Sequence, residues 1–146
     1  MKLEMLKLKF KKLHDEAIIP KYQTEGSAGF DFHAVDYIDI HPKQCYAVRT
    51  GLSVEIPNGF EMQIRQRSGL SMQFPNYIMN VPGTIDSDYR GEIKILIYNH
   101  SVSTFDIVPG MRIAQGIIAP VVQFPIIEVN ELSETERGTG GFGSTG

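Results

Sequence analysis

Apolar and polar residues alternate with a period of two along much of this chain, and that pattern confines it to half-buried β-strands. Leu6, Leu8 and Phe10 alternate with Lys7, Lys9 and Lys11, and Phe60, Met62 and Ile64 alternate with Glu61, Gln63 and Arg65. Ile93, Ile95 and Ile97 alternate with Lys94, Leu96 and Tyr98, a run apolar on both faces that predicts a strand covered on both sides. Pro57-Asn58-Gly59, Pro82-Gly83 and Pro109-Gly110 break these runs with the fixed and positive φ values that tight turns demand. Pro82-Gly83 is expected to close a tight hairpin. Short strands at this spacing predict an all-β barrel or sandwich. Helix is confined to one or two turns at Ser68-Gly69-Leu70-Ser71-Met72, with Ser68 as the expected cap.

With 146 residues the chain is expected to form one β domain over residues 1–130. Residues 131–146 change character: Glu131-Leu132-Ser133-Glu134-Thr135-Glu136 is polar, and five of the fourteen glycines fall in 138–146. Such a segment buries too little apolar area to order itself, so it is expected to be a flexible arm. A net charge of -3 argues against a sequence-independent grip on a nucleic acid backbone. Phosphate must then be held by a local cluster. The opening run over residues 1–13, MKLEMLKLKFKKL, is too densely charged for a signal core or a membrane span, and with no other apolar run near ~18 residues the sequence predicts a soluble, cytoplasmic protein. Cys45 has no partner for an internal disulfide and reads as a small hydrophobe in a strand. His14, His33, His41 and His100 have no metal-ligand spacing and no triad pattern, which argues against a zinc enzyme or a triad hydrolase.

Five segments could carry chemistry. Asp31 lies between Phe30 and Phe32, so in a strand it points away from both, onto a solvated face or into a cleft. Arg67-Ser68-Gly69 combines a guanidinium, a hydroxyl and a glycine at the start of the helical turn, either an anion site or an ordinary capped turn. Asn80 to Gly91 gathers Asp86, Asp88, Tyr89 and Arg90 just beyond Pro82-Gly83, either an acidic loop or a site. Two carboxylates two residues apart share a strand face, suited to acid/base work or a divalent ion. Gln115 sits in an apolar stretch where a buried amide needs partners. Arg137-Gly138-Thr139-Gly140-Gly141-Phe142-Gly143-Ser144-Thr145-Gly146 places one aromatic and one cation on a flexible backbone, either a disordered tail or a cover for a ring and its phosphates.

Taken in order, these five segments resemble the five motifs of the trimeric dUTPase family, most strongly at 83–91 and 137–146. The resemblance implies a jelly-roll-like β-barrel, a homotrimer with shared active sites, Mg²⁺, and hydrolysis of dUTP to dUMP and pyrophosphate. It implies that Asp86 orients and deprotonates the attacking water. Ser68, with Arg67 and Gly69, would hold the leaving pyrophosphate, Gln115 would contact the α-phosphate and the water, and Asp31 would hold water ligands of the magnesium ion. Asn80, Gly83, Thr84 and Ile85 would read uracil, Tyr89 would pack beneath the deoxyribose, and Phe142 and Gly143 would close over the base. Arg137, Ser144 and Thr145 would bind the γ-phosphate.

The chain departs from the family pattern at Ser71-Met72-Gln73-Phe74-Pro75, where a lysine and a glycine are often found, and at Phe30 and Phe32, where smaller aliphatics are common. Two other readings of the same fold are a dCTP deaminase, which uses a glutamate in the base pocket, and a non-catalytic nucleotide-sensing or structural trimer. Tyr89, Asp86 and the glycine-rich arm favour the hydrolase.

Overall fold

A computed structural model describes residues 6–143 as an antiparallel β protein with one short helix. The strands are β1 (Lys9–Lys12), β2 (Gly29–His33), β3 (Ile38–Ile40), β4 (Cys45–Arg49), β5 (Leu52–Glu55) and β6 (Phe60–Arg65). Helix α1 (Ser68–Gln73) follows, then β7 (Asn76–Ile78), β8 (Gly83–Ile85), β9 (Lys94–Asn99), β10 (Phe105–Ile107) and β11 (Arg112–Pro120). They form four sheets ordered β1-β5, β10-β3, β2-β11-β6-β8 and β4-β9-β7. The expected barrel is therefore not closed into one continuous sheet; the architecture is jelly-roll-like.

The core is built from the inward sides of these strands. Phe30 and Phe32 on β2, Met62 and Ile64 on β6, Ile95 and Ile97 on β9 and Ile113 on β11 are all buried. Each such side chain contributes about 1.5–3 kcal/mol of hydrophobic stabilisation. Gly116 of β11 is the closest point of packing: a Cβ there would lie 2.7 Å from Phe30, 2.8 Å from Phe32 and 3.0 Å from Met62. The two large phenylalanines are thus accommodated by the absence of a side chain on the neighbouring strand. Phe10 reaches the same cluster edge-on to Phe30, with ring centroids 6.0 Å apart.

Three expectations are corrected. The strand 94–99 is buried on one face only: Lys94 is exposed and Leu96 and Tyr98 are half-buried, while Ile95, Ile97 and Asn99 turn inward. The outer side is met only in part, by residues around Asn80 to Tyr89 beside Leu96. Cys45 is exposed on that same side, opposite Tyr98, rather than packed as a hydrophobe. Residues 79–82 do not form a hairpin turn, since β7 pairs with β9 while β8 pairs with β6, so the segment crosses from one sheet to another. Its Val81-Pro82 peptide is cis. Among the described residues regular structure ends at Pro120; residues 121–139 are exposed, including Phe124, Ile126 and Ile127. No helix among the described residues is long and apolar enough to cross a membrane.

Candidate active site

One corner of the β2-β11-β6-β8 sheet gathers three of the five segments. Alternation on β2 buries Phe30 and Phe32 and turns Asp31 to the other side, opposite Gln115 of β11. Arg67 Nε donates to Asp31 Oδ1 at 2.7 Å, and Arg112 Nη1 stands 3.7 Å from Oδ2. Asp31 is therefore neither a solvated strand residue nor a free carboxylate; its side chain is 15% exposed and flanked by two guanidinium groups. Gln115 Nε2 donates to the Gln66 carbonyl at 2.7 Å, which fixes the amide beside Arg67. Gly29 leaves room for it, since a Cβ there would lie 2.9 Å from Gln115 Oε1.

Ser68 is the first residue of α1, not its cap. Arg67 occupies the cap position in extended conformation, and no side chain bonds the helix start. The Ser68 hydroxyl and the first amides of the turn are left free for an incoming acceptor. Ser68 and Gly69 are exposed, and nothing in the chain lies within 4 Å of a Cβ built on Gly69. His33 shares the face of Asp31. Burial first holds its imidazole below the ordinary value of 6.5, aided by Arg112 and Arg67 and opposed by Asp31. Its Nδ1 is buried without a hydrogen-bond partner.

The remaining body segment builds two clefts. Asp86 follows β8 and begins the turn that Tyr89 N closes onto the Asp86 carbonyl at 3.2 Å. Asp86 and Asp88 consequently do not share a strand face, because Asp88 sits within that turn. Both border a cleft of about 720 Å³ with Asn58, Phe60 and Glu61. Asp86 also borders a second cleft of about 380 Å³ with Asn80, Thr84, Ile85 and Tyr89. Behind it lies a small recess between Asn80, Gly83, Ile64 and Ile78. Gly83 brings β8 close to Asn80, whose Nδ2 lies 3.3 Å from where a Cβ would stand. Tyr89 Oη donates to the Glu92 carbonyl at 3.1 Å. Arg90 donates to the Ser87 carbonyl at 2.7 Å and closes its own turn.

The two groups stand apart within one chain. Gln115 lies opposite Arg65, whereas Asp86 continues β8 past the Ile85–Met62 pair toward Glu61. The four residue steps from Arg65 to Glu61 span roughly 13 Å of strand. In the arm, Arg137 donates to the Gly140 carbonyl at 2.8 Å and Phe142 is fully exposed. Ser144 and Thr145 lie outside the described residues.

For a metal ion, no group of three ligating side chains occurs among the described residues. Asp31 fits the weaker demand of Mg²⁺ carried on phosphates, which keeps its waters and needs one nearby carboxylate. Asp31 Oδ2 has no hydrogen bond shorter than the 3.7 Å approach of Arg112, so it retains acceptor capacity. Gln66, Arg112 and His33 take part in this corner with no sequence pattern that would have singled them out.

Fold and clefts together describe a jelly-roll-like β protein with an anion-suited corner and, beside Asn80 and Tyr89, a cleft of about 380 Å³ with room for a ring. The dUTPase family model matches residues 15–146. The chain is 58% identical over 141 residues to the deoxyuridine 5'-triphosphate nucleotidohydrolase of Nautilia profundicola, covering 97% of this chain and 99% of that one. Staphylococcus bacteriophage 80alpha dUTPase with dUpNHpp superposes at a TM-score of 0.87 with 27% identity, over 96% of this chain and 98% of that one. A mutant dUTPase from phage phi11 of S. aureus, which coordinates a structural Mg(II) ion, shares the fold at a TM-score of 0.80 and 23% identity, over 86% and 97% of the two chains. The chain belongs to the dUTPase family.

Proposed function

We propose that this chain hydrolyses dUTP to dUMP and pyrophosphate, with Asp86 orienting and deprotonating the water that attacks the α-phosphate. The reaction keeps uracil out of DNA and supplies dUMP for thymidylate synthesis, and we place it in the cytoplasm. The observation that carries this reading is the position of Asp86, on the border of the cleft shared by Asn80 and Tyr89. There a carboxylate faces the junction of sugar and phosphate when the base lies in that cleft against Asn80 and Thr84. A carboxylate is a weak base, so positioning and neutralisation of phosphate charge must supply much of the rate.

Asn80, Gly83, Thr84 and Ile85, which border the small recess behind it, read the uracil through backbone hydrogen bonds whose donor and acceptor pattern a cytosine edge reverses. The place of Asn80, Thr84 and Ile85 along the cleft supports the reading. The Tyr89 ring packs beneath the deoxyribose and excludes a 2′-hydroxyl. Ser68, Arg67 and Gly69 take the leaving pyrophosphate, and Gln115 meets the α-phosphate and the water. Asp31 holds water ligands of Mg²⁺, which, when bound, screens the triphosphate. Phe142 and Gly143 cover the base while Arg137, Ser144 and Thr145 reach the γ-phosphate. The roughly 13 Å of strand between the Gln115 and Asp86 levels is too long for both to reach one α-phosphate from the same chain. A homotrimer with shared sites supplies the two halves from different subunits, and residues 131–146 act as the arm that completes each.

The test is pyrophosphate release from dUTP, dTTP, dCTP and UTP, with Mg²⁺ and with chelator, by the wild type and Asp86→Asn. Release from dUTP alone, lowered about 10²–10⁴-fold by Asp86→Asn, is expected. Ammonia from dCTP, or no release in any tube, would overturn the reading.

A further inference from the structure

The cleft that Asp86 borders contains a cation that none of the five segments supplies. Lys94 opens β9, where Ile93 and Ile95 turn inward and Lys94 outward. It lines the cleft of about 380 Å³ together with Asp86, Tyr89 and Glu92, and it also lines the recess behind Asn80 and Gly83. The carboxylates there are treated unequally. Glu92 Oε1 accepts from Arg49 Nε at 3.0 Å and from the Gly51 amide at 3.0 Å, so it is already compensated. Arg90, the nearest other cation in sequence, is spent on the Ser87 and Tyr89 carbonyls and does not line the cleft. Among the described residues Lys94 forms no ion pair.

We propose that Lys94 is a further substrate-binding residue, its ammonium meeting the phosphate nearest the sugar. A polyanion entering a cleft that holds an uncompensated Asp86 meets repulsion unless a positive charge faces it. A lysine suits that place, because its four-carbon stem lies along apolar wall while the strongly hydrated head stays in the wet part of the cleft. Leu96 and Ile85 supply that wall. The contact is a point charge on an oxygen rather than a two-pronged clamp, so it adds affinity for phosphate without reading the base.

This inference rests on the proposed binding of dUTP in that cleft, and the experiment separates the two. Lys94→Met keeps the length of the stem and removes the charge; Lys94→Arg restores the charge. Steady-state kinetics with dUTP are measured for both, alongside competitive inhibition by dUMP and by deoxyuridine. For Lys94→Met the KM for dUTP and the inhibition constant of dUMP are expected to rise about tenfold or more. The constant for deoxyuridine should stay within about twofold, and Lys94→Arg should recover most of the loss. Unchanged KM, or deoxyuridine weakened as much as dUMP, would overturn the assignment of Lys94 to phosphate. Absence of dUTP turnover by the wild type would overturn the parent reading instead.

Discussion

Arg67 donates from Nε to Asp31 Oδ1 across 2.7 Å, tying the segment that opens α1 to β2. Both side chains are mostly buried, 21% and 15% exposed, so the pair is shielded from much of the solvent screening that weakens surface ion pairs. A double-mutant cycle on Asp31→Asn and Arg67→Met, read by denaturation at one protein concentration, should return a coupling of about 1–2 kcal/mol. Additivity within about 0.3 kcal/mol would mean that the pair is not formed in solution.

Gly116 sets the spacing between β11 and the two phenylalanines of β2. A methyl at 2.7–2.8 Å from both rings and 3.0 Å from Met62 forces large, buried groups to move. Gly116→Ala should therefore destabilise the protein by about 1–3 kcal/mol and lower the melting temperature. Gly69→Ala, where a Cβ meets nothing in the chain, should leave the melting temperature nearly unchanged while weakening substrate binding.

His33 couples stability to pH. Burial holds its folded-state value below 6.5, so the unfolded chain takes up a proton before the folded one does. The stability is present above 6.5 and declines as pH falls from 6.5 through the lowered folded value. A melting series from roughly pH 7.5 to 5 should fall less steeply for His33→Gln than for the wild type. Equal slopes would show that His33 titrates normally in the fold.

Phe142 touches no core, and its full exposure means that its removal costs no packing. Phe142→Ala should keep the wild-type melting temperature and raise the KM for dUTP about 5-fold or more, the scale of one aromatic stacked on a base. An unchanged KM would remove the aromatic cover from the account.

The strands were legible in the sequence because alternation reports which face is buried, whichever neighbour does the burying. Phe30 and Phe32 in, Asp31 out, follows from period two alone. Pairing partners were not legible. β8 joins β6 rather than β7, and β11 lies between β2 and β6, through contacts between residues far apart in the chain. The covered-strand reading of 94–99 failed for a related reason: apolar character at Leu96 and Tyr98 does not reveal whether the same chain supplies the cover. At the site, the motifs brought out Asp31, Arg67, Ser68, Asp86 and Gln115 one by one. The Arg67–Asp31 pair, the Gln66 carbonyl beneath Gln115 and the two-cleft position of Asp86 depend on register and on which sheet a segment joins.

The central claim is that Asp86 of one copy and the Ser68 and Gln115 corner of another act on one dUTP. Asp86→Asn and Ser68→Ala chains are each prepared, confirmed to have little activity, unfolded together in equal amounts, refolded and assayed for pyrophosphate release. Random assortment then gives about a quarter of the sites both wild-type halves when these come from different subunits, and that share of activity should return. A mixture no more active than the two variants apart would mean that each site is built within one chain, and would contradict the account.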